Sequence, residues 1–189
     1  MAESEQLQSL ESQLKGQRNF DQPPLHLWHP ELSGSIPIQI NADGVWFHDG
    51  GEIKREALVK LFASILRRED DGLYYLVTPA EKWLIEVDLH PLIVVDFEFV
   101  HVDQVQRLIV ELNTGKQVVV TEENPLFLDS AVNEAAAISL WHGLSAIFSR
   151  AAWLRLAEVA QSEGDAVWVE SDGERYYLLA DDSEVGLRE

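Results

Sequence analysis

The chain has 189 residues, 46% of them hydrophobic, which is enough to bury a core as one domain or as two small ones. It contains no cysteine, which excludes disulfides, thiolate metal ligands and cysteine nucleophiles and favours a reducing compartment. The formal net charge of −19 repels phosphate backbones and anionic lipid surfaces, so we expect no nucleic-acid partner and no membrane partner.

Residues 1–24 are polar and are predicted to form an N-terminal helix or tail followed by a linker. Three leucines fall at spacings of three and four and would share one side of a short helix: Leu7, Leu10 and Leu14. The N-terminus lacks the basic and then apolar pattern of a signal peptide, and no apolar run is long enough to cross a bilayer. We therefore expect the protein to be cytoplasmic.

Residues 25–90 are predicted to form a first α+β unit. Isoleucines at every second position of Ile36–Ile40 indicate a strand, and an Asp-Gly turn leads back into a second strand at Val45–His48. Ile53–Arg68 carries a single apolar stripe, which predicts a helix. Two further strands flank a turn that contains a proline: Leu73–Val77 and Lys82–Val87.

Residues 91–189 are predicted to form a second α+β unit with a helix at Ser145–Gln161. Residues 129–142 are compatible with a helix at Val132–Ile138, from propensity, or with a strand at Ile138–His142, from analogy with the first unit. Alternating or apolar runs predict the strands of this unit: Leu92–Val100, Val105–Leu112, Gln117–Thr121, Val167–Glu170 and Glu174–Leu179.

An internal repeat links the two predicted units. Two stretches about 93 to 95 residues apart share a pattern of strand, helix and hairpin. The helical parts are Arg55–Leu61 and Arg150–Leu156, and the turn pair Glu81-Lys82 recurs as Glu174-Arg175. The repeat predicts two mostly antiparallel sheets, each with one packed helix.

Charge is unevenly distributed along the chain. The last 32 positions carry a net charge of −8, whereas five basic residues gather on or beside the first predicted helix: Lys54, Arg55, Lys60, Arg67 and Arg68. This asymmetry could steer two copies into a homo-oligomer or attract an acidic partner, although a solvated surface also accounts for it.

Five residues are candidates for binding a ligand. His48 and Asp49 are adjacent at the end of a predicted strand, where a carboxylate can orient a histidine ring. Thr78, Glu81 and Lys82 surround a tight turn, where Glu81 and Lys82 could bind a polar group or act as acid and base. The alternative is structural: the histidine closes the hairpin, and the other three residues cap the turn or form surface ion pairs.

We predict no catalytic residues, no cofactor and no metal site. The sequence lacks a phosphate-binding glycine loop, a nucleophile-elbow serine and a paired-histidine metal helix. His26, His29 and His48 are suitable ligands by residue type, but His26 and His29 would project to opposite faces of an extended strand.

The run from His48-Asp49-Gly50 through residues 57–68 to residues 75–82 resembles a bacterial family of domains of unknown function, number twelve eighty-five of its series. Pro23 to Trp28 is similar to its N-terminal signature, and Gly143-Leu144 with Arg150-Ala151 is similar to its second-half signature. The resemblance implies a bacterial, two-part α+β protein with internally similar halves, and it suggests a role in signalling.

The sequence favours a non-enzymatic cytoplasmic binding or signalling module whose paired units form a groove or a self-association surface. Its partner would be a protein or a small molecule. The alternative is a small-ligand-binding protein or an enzyme with a site in the cleft between the two units, built from His48, Asp49, Glu81 and Lys82. The alternative requires these four side chains to converge within hydrogen-bonding distance.

Overall fold

The computed structural model describes Ser12 and residues 23–179. The chain divides into two compact units, the first comprising Met1–Pro91 with Trp141–Leu144 and the second comprising Leu92–Leu140 with Ser145–Glu189. The leucines of the predicted N-terminal helix lie outside the described residues. Each unit contains a six-stranded sheet, so the predicted α+β class with two similar, mostly antiparallel units is confirmed.

The first unit consists of one sheet, one helix and a short 3-10 turn at Leu25–Leu27. The sheet has the strand order β3-β2-β1-β6-β5-β4, and every neighbouring pair is antiparallel except β1 and β6. The elements are β1 (Leu32–Ile40), β2 (Trp46–His48), β3 (Gly51–Glu52), α1 (Glu56–Ser64), β4 (Leu66–Arg68), β5 (Tyr74–Val77) and β6 (Lys82–Val87).

Part of the core of the first unit lies on one face of this sheet, at β1 and β2, whereas β5 is buried on both faces. Ile36, Ile38 and Ile40 alternate along β1 and are buried, as period-two patterning predicts. Trp46 of β2 lies opposite Ile40, and its ring centroid is 6.1 Å from that of Phe62 on α1. The apolar stripe of α1 therefore covers the face that the alternating isoleucines define.

The second unit consists of a six-stranded sheet, one helix and a separate three-stranded sheet of order β13-β14-β15. The larger sheet has the order β10-β11-β12-β7-β8-β9, and β12 and β7 are its parallel pair. The elements are β7 (Leu92–Val102), β8 (Val105–Leu112), β9 (Gln117–Val119), β10 (Leu126–Asp129), β11 (Ala135–Ser139), β12 (Ser145–Phe148), α2 (Arg150–Val159), β13 (Gln161–Glu163), β14 (Ala166–Ser171) and β15 (Glu174–Leu179).

The two large sheets share one topology. Numbered in chain order within each unit, the strands run third, second, first, sixth, fifth, fourth, and the first and sixth strands are parallel. The first strands begin at Leu32 and Leu92, which are 60 residues apart. This topological repeat differs from the sequence repeat, whose spacing matches instead a helix followed by three antiparallel strands: α1 with β4–β6 and α2 with β13–β15.

Both predicted helices are shorter in the structure. Residues 66–68 pair with β5 instead of continuing α1, and residues 145–148 pair with β7 before α2 begins. The Ser149 hydroxyl caps α2 by accepting a hydrogen bond from the Ala152 N–H. Between 129 and 142, a strand forms at Ala135–Ser139 and a 3-10 turn at Trp141–Gly143, so the predicted helix at Val132–Ile138 does not form and the strand lies earlier than predicted. Strand pairing has overridden local propensity in each case.

The turn between β14 and β15 completes the edge of β8 beyond the end of β9. The buried Ser171 hydroxyl accepts a hydrogen bond from the Leu108 N–H at 2.9 Å and donates one to the Val120 carbonyl at 2.6 Å. The Asp172 N–H donates to the Gln106 carbonyl at 2.8 Å. One serine therefore satisfies two backbone groups that the end of β9 would otherwise leave unbonded.

Replacing Ser171 by Ala is expected to lower the free energy of unfolding by about 1–3 kcal/mol, because a buried N–H and a buried carbonyl lose their partner. Ser162→Ala, on the exposed strand β13, is the control and should change stability little. Urea unfolding of both variants measures the difference. Equal stability of the two variants would contradict this role for Ser171.

Gly143 packs closely on β4 of the first unit. It adopts φ = +71°, and a Cβ atom at this position would lie 2.8 Å from the Arg68 carbonyl oxygen. Gly164 also has a positive φ, of +60°, but a Cβ atom there would meet nothing within 4 Å. Both glycines therefore adopt a positive φ, but only at Gly143 would a Cβ atom collide with neighbouring backbone.

Gly143→Ala is expected to destabilise the protein by about 1–3 kcal/mol more than Gly164→Ala, since only the first substitution forces backbone atoms apart. The cost of a positive φ is common to both variants and cancels in the comparison. Urea unfolding midpoints and slopes provide the measurement. An equal loss in both variants would show that φ, and not the approach to Arg68, decides the cost.

Candidate functional site

His48 and Asp49 lie at a two-residue hairpin turn that joins β2 to β3. His48 pairs with Gly51, and Asp49 and Gly50 both have positive φ, of 52° and 75°, as the tightest hairpin turns require. The His48 Nδ1 atom is 3.4 Å from an Asp49 carboxylate oxygen. The turn thus places the carboxylate beside the ring, as the sequence suggested.

The opposite nitrogen of His48 faces the interior. The side chain is 17% exposed, and its Nε2 atom is buried with no hydrogen-bond partner among the described residues. Trp46 lies two residues earlier on the same face of β2. Its Nε1 atom is also buried with no hydrogen-bond partner among the described residues. This end of the core therefore holds two ring nitrogens whose hydrogen-bonding capacity is not used by the described chain.

Thr78 and Glu81 close the turn between β5 and β6. The Thr78 side chain is fully buried, and its hydroxyl accepts hydrogen bonds from the Ala80 and Glu81 N–H groups at 3.3 and 3.0 Å. A Glu81 carboxylate oxygen accepts a bond from the Trp83 indole N–H at 3.3 Å. Both residues have the turn-forming role that was the structural alternative in the sequence.

Lys82 pairs with Glu69 and not with Glu81. Its ammonium group donates to a Glu69 carboxylate oxygen at 2.9 Å and lies 4.8 Å from the centroid of the Tyr75 ring. The other Glu69 oxygen accepts a bond from Arg67. Arg67 in turn donates to the carbonyls that flank the 3-10 turn, those of Leu25 at 3.1 Å and Trp28 at 2.9 Å. The network ties the N-terminal turn of the unit to three strands of its sheet.

These contacts shift the pKa values of Glu69, Asp71 and Tyr75. Burial alone would raise the pKa of Glu69, but the hydrogen bonds and positive charges of Lys82 and Arg67 together lower it from its ordinary value of 4.5. Asp71 has a lowered pKa because it accepts bonds from the Leu73 N–H and the Tyr75 hydroxyl. The same bond to Asp71 raises the pKa of Tyr75 to about 12. The cluster therefore holds its carboxylates charged and its phenol neutral at physiological pH.

The five candidate residues form two separate groups within the first unit. His48 lies opposite Ile38 on one side of β1, whereas Lys82 lies opposite Leu32 on its other side. Leu32 and Ile38 are six positions apart along β1, a distance of about 20 Å. The structure joins His48 with Asp49 and joins Thr78 with Glu81 at the turn preceding Lys82, but it does not bring the two groups together.

The described residues hold neither a metal-ligand cluster nor a membrane-spanning helix. They contain no group of three or more histidine and carboxylate side chains placed to hold a metal ion. No helix in the described part of the chain is both long and apolar enough to cross a membrane.

Comparisons with known proteins decide the family. The family described as "Domain of unknown function (DUF1285), N-terminal domain" matches residues 23–89, and "Protein of unknown function (DUF1285), C-terminal domain" matches residues 91–178. The chain belongs to the DUF1285 family. The resemblance seen in the sequence is thereby confirmed.

Two solved structures are similar to this DUF1285 protein. A DUF1285 family protein from Silicibacter pomeroyi DSS-3 is 34% identical, with a TM-score of 0.81 over 92% of this chain and 96% of that one. A DUF1285 family protein from Shewanella baltica OS155 is 29% identical, with a TM-score of 0.53 over 65% of this chain and 91% of that one. No protein with a curated description matches the chain.

The charged network around Lys82 was not predicted from the sequence. Residues 53–68 were assigned to one helix, and because residues two positions apart on a helix do not face each other, Arg67 and Glu69 would not meet. In a strand, Arg67 and Glu69 share a face, and Lys82 on β6 can then reach Glu69 across β5. Polar residues at alternate positions after an apolar stripe were the signal that could have identified this DUF1285 network.

Glu69→Gln is expected to lower the free energy of unfolding by about 3 kcal/mol near neutral pH, because two mostly buried cations lose their anion. The folded state has the lower pKa and so binds fewer protons than the unfolded chain. This stabilisation is therefore full above pH 4.5 and is lost as the pH falls through the folded-state pKa. Urea unfolding at a series of pH values provides the measurement.

The exposed neighbour Asp70 supplies a matched control for this experiment. Asp70→Asn removes the same charge at the next position in the chain and should leave stability almost unchanged. A deficit of Glu69→Gln that persisted undiminished at acid pH would show that the ion pairs are not its origin.

Proposed function

We propose that this DUF1285 protein is a non-enzymatic binding and signalling module of the bacterial cytoplasm. The observation that carries the proposal is the engagement of Glu81 and Lys82, the pair predicted as a possible acid and base: Lys82 is bonded to Glu69, and Glu81 forms a turn with Thr78. A bacterial origin is supported by the organisms of the two similar structures. The absence of cysteine supports a reducing compartment.

A second candidate function is the binding of a small ligand at His48 and Asp49. It is favoured by the buried Nε2 of His48, which has no partner among the described residues, and by the carboxylate beside the other ring nitrogen. A buried polar atom gains free energy from any group that bonds it. In this proposal the ligand contacts His48, Asp49 orients the ring, and the turn at Thr78, Glu81 and Lys82 is structural.

Thermal unfolding of the full chain with a panel of metabolites and nucleotides tests both candidates. A ligand of the His48 group at about a hundredfold excess over its Kd should raise the Tm by about 5–10 °C. His48→Gln and Asp49→Asn should abolish the shift relative to their own ligand-free Tm. His29→Gln, at an exposed position of the same unit, should retain it.

Mass spectrometry of the same mixtures separates binding from catalysis. A compound that binds and is recovered unchanged supports the non-enzymatic proposal. Consumption of a compound in molar excess over the protein would refute it. A shift that survives both His48→Gln and Asp49→Asn would refute the second candidate.

A further inference from the structure

One face of the second unit's sheet carries side chains that are exposed or half-buried. Directly opposed residues of antiparallel strands point to the same side, and the register pairs 96 with 111, 98 with 109, 100 with 107 and 102 with 105. Residues 117 and 119 of β9 continue the rows of 111 and 109. We call this the β7–β9 face; its members are Asp96, Glu98, Val100, Val102, Val105, Arg107, Ile109, Glu111, Gln117 and Val119.

The β7–β9 face combines apolar and acidic side chains. Its opposite side carries the buried core residues of β8, whereas Val102 and Val105 at the hairpin tip are 41% and 38% exposed. Glu98 lies opposite Ile109, and Asp96 lies opposite Glu111. The face therefore presents carboxylates beside apolar side chains, which suits a partner side chain with an apolar stem and a charged end.

Two of the three carboxylates on this face form no ion pair with the described residues, and the face's own cation, Arg107, is bonded to Asp172 at 2.9 Å. Arg155 of α2 donates to Asp96 at 2.6 Å, which together with the Phe97 N–H lowers the pKa of Asp96. Glu98 and Glu111 have no ion-pair partner within the part of the chain that the structure describes. Both line a depression of about 230 Å³, whose other walls are Asp96, Phe97, Ile109 and Gln117.

We propose that the β7–β9 face binds a cationic polypeptide segment of a partner protein. A lysine or arginine side chain lies along Ile109 and places its charged head between Glu98 and Glu111. Apolar residues of the same segment contact Val102 and Val105. The inference rests on the proposed binding function and gives it a surface and a class of partner.

The acidic charge of the β7–β9 face and the size of its depression favour a cationic side chain as the occupant. A second copy placed face to face would oppose two sets of carboxylates, and nucleic acids and anionic lipids are repelled by the same charge. The long side chains of lysine and arginine are apolar along the stem and charged at the end, which matches Ile109 flanked by glutamates. The depression is smaller than the roughly 300–1,000 Å³ of small-molecule sites, so it fits one side chain.

The unit itself contains a guanidinium in a comparable environment. Arg155 bonds the Asp96 carboxylate and lies 4.9 Å from the centroid of the Phe97 ring. A carboxylate next to an aromatic ring is thus already a cation-binding arrangement beside this face. The partner cation would make the same kind of contact with Glu98 and Glu111.

Fluorescence anisotropy with a labelled octapeptide of alternating lysine and valine tests the inference on the full chain. The double variant Glu98→Gln/Glu111→Gln should bind the peptide roughly tenfold more weakly than the wild type, since two ion pairs are lost. The control Glu158→Gln/Glu163→Gln makes the same change in net charge at exposed positions off the face. It should weaken binding by less than about twofold. Circular dichroism checks that both variants are folded.

Each outcome is decisive for the β7–β9 face. A selective loss in Glu98→Gln/Glu111→Gln supports it, whereas equal losses in both double variants would show that only the overall charge attracts the peptide and would overturn it. Failure of the wild type to bind the peptide would also overturn it. Neither failure affects the thermal-shift test at His48, so the binding function and this surface are refuted by different measurements.

Discussion

The parallel pairing of the first and last strands holds each large sheet together. β1 bonds β6, and β7 bonds β12, at the centre of their sheets. Each pairing joins two three-stranded meanders, which need only local turns, through strands that are some 50 residues apart in the chain. The buried residues Ile38 and Val94 lie on these central strands, so the core of each unit is completed only when the distant strand arrives.

Strands could be predicted where one face is buried, because alternation then fixes the side-chain direction. The pattern of Ile36–Ile40 and the bounds of β6, β8 and β15 are such cases. The parallel pairing could not be predicted, since no local pattern records which strand lies alongside. The helices were predicted too long because the segments next to them, 66–68 and 145–148, contain no glycine or proline that would end a helix, and they form strands only through their partners.

The contacts of the candidate site could be predicted only where they are local in the sequence. His48 with Asp49, and Thr78 with Glu81, are contacts across a turn, and turn chemistry is local. The partner of Lys82 is Glu69, which lies 13 residues earlier and reaches it only across β5. The sequence grouped Lys82 with the adjacent Glu81 as a possible acid–base pair, although neighbouring residues of a strand point to opposite faces. Contacts that depend on sheet register can therefore be predicted only when the strand order is known.

The segment Trp141–Leu144 belongs to a different unit from the residues on either side of it in the sequence. It lies in the half of the sequence that the C-terminal family description covers, yet it belongs to the first unit, where Gly143 packs on the backbone of Arg68. A fragment ending at Pro91 would therefore lack a piece of its own structure. The two family descriptions divide the chain near residue 90, whereas the first unit includes a segment that follows about half of the second unit in the sequence.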